Sequence, residues 1–118
     1  MVLSKRQRGN VGEELAAKFL IKKGYKILER NYRFEHGEID LVAEDGDELV
    51  FVEVKSRKSK SFGEPEDAIT EKKEGHVRDA AEGYLFEKSI ENRMCRFDVI
   101  AIEFHNGVAD IRHTKDAF

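Results

Sequence analysis

The stretch Gly37–Lys58, GEIDLVAEDGDELVFVEVKSRK, leaves this chain few ways to fold. Ile39, Leu41 and Ala43 alternate with Glu38, Asp40 and Val42, and Val50, Val52 and Val54 alternate with Phe51, Glu53 and Lys55, so each half has the period of a β-strand. Asp45-Gly46-Asp47 between them allows a two-residue hairpin turn of type II′, with Gly46 taking the positive φ. If Asp45 pairs with Glu48, Asp40 falls directly opposite Glu53. If Asp45-Gly46 forms the loop instead, Asp40 falls opposite Phe51 and Glu53 becomes its diagonal neighbour. Either register brings the two carboxylates together.

Directly opposed residues have Cβ atoms roughly 5 Å apart, and like charges in that position destabilise a sheet. A divalent cation relieves the repulsion: Mg²⁺ takes oxygen ligands at about 2.0–2.1 Å and commonly uses one or two carboxylates while keeping waters that substrate oxygens can displace. Lys55 leaves the strand on the same face as Glu53 and can reach oxygens around such an ion. Metal, carboxylates and ammonium suit phosphodiester hydrolysis, in which water must be activated and charge on phosphorus stabilised. The competing reading is a solvated strand face whose Asp, Glu and Lys form weak ion pairs. The flanking Val42, Phe51, Val52 and Val54 argue for a strand covered on both faces, where charges need partners.

With 118 residues the chain makes one domain, 1–118, with a proper core. The net charge of −3 and the pI near 5.8 exclude a polycationic nucleic-acid coat. The single cysteine, Cys95, rules out a disulfide framework or a thiolate metal cluster within one chain, and His36, His76, His105 and His113 lack zinc-ligand spacing and read as turn or surface residues. No apolar run is long enough to span a bilayer and no signal-type segment follows the basic start, so a soluble, cytoplasmic protein is expected.

Residues 1–8 read as a mobile basic arm. A helix is expected from Asn10, which has the spacing of a cap with Glu13, to the Gly24 stop, with Val11, Leu15, Phe19 and their neighbours as its apolar stripe. Glu14 lies beside that stripe: it either looks toward the packing partner or is an exposed helix former able to pair with Lys18. Tyr25–Arg33 reads as a strand with Tyr25 and Ile27 inward and Leu28 a further candidate for that face. The first third is basic. Lys22, Lys23, Arg30 and Arg33 there, with Arg57 and Lys58 after the third strand, are candidates for contact with a phosphate backbone. Ser59–Pro65 is a loop carrying Phe62. Thr70 caps a second helix to about Lys88, in which Gly75 and Gly83 are weak points and Lys73, near the start, is a further candidate phosphate ligand. Cys95–Phe104 and Val108–His113 are strands joined by a hairpin at His105-Asn106-Gly107. Asp98, an acid within a buried strand, is read as a salt-bridge partner for Arg96 or a group on the first helix, in preference to a catalytic role.

Taken in order, Glu14 on the first helix, GEIDL at Gly37–Leu41, FVEVKSR at Phe51–Arg57, A-I-T-x-x-K at Ala68–Lys73 and RFDVIAI at Arg96–Ile102 resemble the YraN family of small bacterial proteins. The resemblance covers nearly the whole chain. It implies a restriction-endonuclease-like α/β fold of the PD-(D/E)xK superfamily, a mixed central sheet flanked by helices, similar in layout to archaeal Holliday junction resolvases. Ile39 stands where the motif's literal proline would be. The resemblance further implies a metal site of Asp40 and Glu53 with Lys55 assisting, and it makes Glu14 the acid on the first helix that completes the shell. Glu38, facing as Asp40 does, would support the ligands from behind. The expectation is thus a Mg²⁺- or Mn²⁺-dependent endonuclease acting on branched or structured DNA, working as a homodimer if the substrate is a junction. The alternatives are a nucleic-acid-binding module that has lost catalysis and an interaction protein whose acidic cluster is only surface.

Overall fold

The computed structural model describes residues 5–57 and 71–118. Lys58, Phe62, Thr70 and the first four residues of the basic arm lie outside them. Helix α1 (Lys5–Lys22) leads into strands β1 (Lys26–Phe34), β2 (Gly37–Asp45) and β3 (Glu48–Arg57), then helix α2 (Glu71–Glu87), then β4 (Cys95–His105) and β5 (Val108–Thr114). The five strands form one sheet in chain order, antiparallel except for β3 and β4, which run parallel because α2 carries the chain back between them. This is the mixed central sheet flanked by helices that the sequence led us to expect.

The two helices cover opposite faces. Ala16, Ala17 and Leu20 of α1 pack on Leu41, Ala43, Val50, Val52, Ile100 and Ile102, while Val77, Ala80, Ala81 and Tyr84 of α2 pack on Val42, Leu49 and Phe51. Each fully buried Leu, Ile or Val contributes roughly 1.5–3 kcal/mol, so these two layers hold the sheet between them. A Cβ on Gly83 would sit 2.3 Å from the Phe34 ring. The glycine that weakens α2 as an isolated helix is therefore what lets it lie against β1.

Several local expectations change. α1 starts at Lys5, and Asn10 is inside it, not its cap; Lys5–Arg8 are good helix formers that extend the pattern backward. Leu28 is 36% exposed because the β1–β2 register shifts by one residue between Ile27 and Glu29, leaving Leu28 as the extra residue of a bulge. Ile39 belongs with Val42 in the α2 layer, away from Leu41 and Ala43. His113 is half-buried with its side chain turned inward, the ring Nε2 hydrogen-bonded to Asp98 at 2.7 Å and the Nδ1 2.9 Å from Lys23 Nζ.

Candidate functional site

Asp45 pairs with Glu48 and Leu41 with Val52, with Gly46 at φ 59, so the hairpin takes the first of the two registers. One step past Leu41–Val52, Asp40 stands opposite Glu53. There the ladder gives way to side-chain chemistry: Asp40 Oδ2 accepts the Val54 N–H at 2.8 Å. The Asp40 carboxylate thus lies in the seam between β2 and β3, within hydrogen-bonding reach of the Glu53 carboxyl.

Glu53 is only 3% exposed, and its Oε2 has no hydrogen-bond partner among the described residues. Burial pushes its carboxyl up to about 9, and the adjacent Asp40 adds to the rise, while Lys73 and Lys55 pull it back. Lys73 Nζ lies 3.7 Å from Glu53 Oε1. An acid buried beside a second acid, with one oxygen unpaired, is the kind of site that a shared cation or proton satisfies.

The acid that α1 brings to this place is Glu13. It lies within hydrogen-bonding reach of Asp40, and burial together with Asp40 and then Glu38 raises its carboxyl, with Asn31 opposing. Glu14, one residue on and about 100° around the helix, is exposed and bonds Arg30 Nη1 at 2.7 Å. α1 comes this close because Gly12 lies against Ser56, where a Cβ would meet the serine side chain at 3.2 Å. Sequence periodicity missed Glu13 because its spacing from Asn10 also fits a helix cap.

Glu38 is ion-paired with Arg33 Nη2 at 3.5 Å, and Arg30 is opposite Leu41, so both arginines flank the acids on β1. Arg57 lies two residues beyond Lys55 on β3. Lys22 and Lys23 do not join them. Lys22 ends α1 and Lys23 follows it, nine and ten residues past Glu13 and roughly 15 Å away along the axis, where Lys23 rests over the Phe19 and Tyr25 rings beside His113.

That far end holds a separate network. Arg96 grips both oxygens of the fully buried Asp98, at 2.8 and 2.9 Å, and also bonds Tyr25, Asp45 and Glu48. Burial would raise Asp98, but His113, Arg96 and the Asp116 N–H outweigh it and hold the group at about 2. The Arg96 guanidinium and both Asp98 oxygens are fully engaged within the fold, which makes Asp98 the structural salt-bridge partner that the sequence suggested.

Two carboxylates are enough for Mg²⁺, which keeps waters in its other positions. Asp40 and the unpaired Glu53 oxygen fit that role. Among the described residues, no three His, Cys, Asp or Glu side chains converge on one ion-sized point, since Asp40 stands between Glu13 and Glu53. No helix there is long and apolar enough to cross a membrane.

Fold and site together define a small α/β protein with paired acids set in the seam of a mixed, helix-covered sheet. Residues 12–102 match the model of the uncharacterised protein family UPF0102, and the chain belongs to that YraN-like family. It is 46% identical over 118 residues to a UPF0102 protein of Caldicellulosiruptor saccharolyticus, covering 98% of this chain and 100% of that one. It is 43% identical over 120 residues to one of Moorella thermoacetica, both chains being covered in full. A third, of Syntrophomonas wolfei, is 49% identical over 113 residues, covering 96% and 98% of the two chains.

Proposed function

We propose that the protein is a Mg²⁺- or Mn²⁺-dependent endonuclease of the PD-(D/E)xK superfamily that cleaves branched or structured DNA in the cytoplasm. The observation that carries the reading is the buried Glu53 carboxyl, with an unpaired oxygen, beside Asp40 at the point where the β2–β3 ladder opens. Asp40 and Glu53 would hold the ion, and Glu13, in the role first given to Glu14, would add to its shell through water. When bound, the ion activates water and polarises the phosphoryl oxygen.

The remaining work falls to this chain's own side chains. Asp40, fixed by the Val54 N–H, keeps its carboxylate in one orientation. Lys55, close enough to lower the Glu53 carboxyl, stabilises charge developing on phosphorus. Arg30, Arg33 and Arg57 offer cations on either side for the DNA backbone, with Lys58 following Arg57 in sequence. A junction substrate has two equivalent strands to cut, which a homodimer would match.

One observation favours a binding module without catalysis. Lys73 already approaches Glu53 at 3.7 Å and supplies part of the compensation a cation would give. Incubating flap, duplex-end and four-way-junction DNA with the protein in Mg²⁺, Mn²⁺ or chelator decides between them. Cleavage that needs metal and disappears in Asp40→Asn supports the nuclease; salt-sensitive binding with no cleavage in either metal leaves the binding module.

A further inference from the structure

Asn31 is the only residue within a strand, among those described, whose backbone is left-handed without being glycine. Its φ is 53, whereas Glu35, Ser89, Asn92, Asn106 and Asp116 adopt positive φ outside the strands. It falls opposite Asp40, between the pairs Arg30–Leu41 and Tyr32–Ile39. At this point both strands change faces. Arg30 turns toward α1 and Tyr32 packs in the α2 layer; in β2, Leu41 belongs to the α1 layer and Ile39 to the α2 layer.

The change of face lets the consecutive residues Arg30 and Asn31 both meet α1. Arg30 takes Glu14, and Asn31 takes Glu13. Only one orientation of the Asn31 amide gives its nitrogen acceptors: it then donates toward Glu13 at 3.1 Å to Oε1 and 3.3 Å to Oε2. A backbone held in a sparsely populated conformation persists where the surroundings fix it, and such positions gather at functional sites. Asparagine suits this one because it tolerates the left-handed region and carries the donor that a carboxylate needs.

We infer that Asn31 is a positioning residue of the proposed metal site, its amide holding the Glu13 carboxylate against Asp40 so that α1 contributes to the ion's shell. The inference rests on the nuclease reading. It adds a β1 residue, acting through Glu13, to a constellation otherwise drawn from α1, β2 and β3.

The test is a double-mutant cycle on Mn²⁺ affinity, measured by titration calorimetry, with thermal unfolding of each variant as the fold control. Asn31→Gly keeps the backbone conformation and removes only the amide. It should weaken Mn²⁺ about tenfold, as loss of a ligand's hydrogen-bond partner typically does, with little change in the unfolding midpoint. Glu13→Gln should weaken binding at least as much, and the double variant should bind no worse than Glu13→Gln alone. Wild-type affinity in Asn31→Gly, or a loss that persists in full in the Glu13→Gln background, overturns the role of Asn31. Wild-type affinity in Glu13→Gln overturns it by itself, should Asn31→Gly fail to fold. If the unmodified protein binds no Mn²⁺, the nuclease reading falls and this inference falls with it.

Discussion

Asp40 Oδ2 takes the Val54 N–H at 2.8 Å, so a side chain stands where the β2–β3 ladder would otherwise supply a carbonyl. The same group therefore has a structural duty and, on the nuclease reading, a chemical one, and substitutions should separate them. Asp40→Asn retains an oxygen acceptor for Val54 and should change unfolding free energy by less than about 1 kcal/mol. Asp40→Ala leaves the amide unpaired and should cost about 1–3 kcal/mol. Both should abolish metal-dependent cleavage. Urea denaturation alongside a cleavage assay checks the separation; equal stability of the two variants would remove the structural half of the claim.

Glu53 is nearly inaccessible and has Asp40 beside it, so its carboxyl is a liability whenever no cation is present. Glu53→Gln replaces it with a neutral group of nearly the same shape. In chelator at neutral pH the variant should be more stable than the wild type by roughly 1–3 kcal/mol, the usual direction when a functional acid is removed from a buried site. Mg²⁺ should raise the wild-type melting temperature and leave that of the variant nearly unchanged. A variant less stable than the wild type in chelator would mean that Lys73 and Lys55 already satisfy the carboxylate.

How far the sequence disclosed this site follows from the geometry each element imposes. A two-residue turn carries register as a residue count, so the sequence left two pairings of the hairpin, and both set Asp40 beside Glu53, directly opposite or diagonal; the Asp45–Glu48 pair makes it the first. A helix carries no such ruler. Glu13 and Glu14 differ by about 100° of rotation, and which one meets the sheet depends on how α1 seats at Gly12 and Ser56. Strict alternation likewise kept Ile39 with Leu41, because nothing in the period marks the change of face at Asp40, opposite the left-handed Asn31 of the neighbouring strand.

Lys55 should separate chemistry from metal binding. Its ammonium is close enough to lower Glu53, yet it is no metal ligand. Lys55→Ala should eliminate cleavage of a branched DNA while Mn²⁺ affinity changes only a few-fold and the fold is retained. Cleavage at the wild-type rate would remove Lys55 from the mechanism.

Asp98 gives the clearest dependence of stability on pH. Its carboxyl is held at about 2 in the fold against an ordinary value of 3.8. A depressed folded-state value means that the stabilisation is fully present above about pH 4 and is lost as pH falls toward 2. The difference corresponds to about 2 kcal/mol. Asp98→Asn removes the buried carboxylate that Arg96 and His113 bond, leaves Arg96 its pairs with Asp45 and Glu48, and should cost about 1.5–3 kcal/mol at pH 7. The gap between wild type and variant should narrow by about 2 kcal/mol between pH 5 and pH 2. A gap independent of pH would show that the carboxylate's charge is not what Arg96 and His113 respond to.

The basic residues should divide by position. Arg30 and Arg33 border the acids, whereas Lys22 and Lys23 lie roughly 15 Å along α1 from Glu13, with Lys23 engaged by His113, Phe19 and Tyr25. A phosphate contact contributes about 0.9 to the slope of log affinity against log salt on duplex DNA. Replacing Arg30 and Arg33 by glutamine should lower the slope by up to about 2, and Lys22→Ala with Lys23→Ala should leave it nearly unchanged. Fluorescence anisotropy with a labelled junction across a salt series reads both slopes. A larger fall for the lysine pair would place the DNA along the far end of α1, and the acids in the β2–β3 seam would then lie away from the phosphates they are proposed to cut.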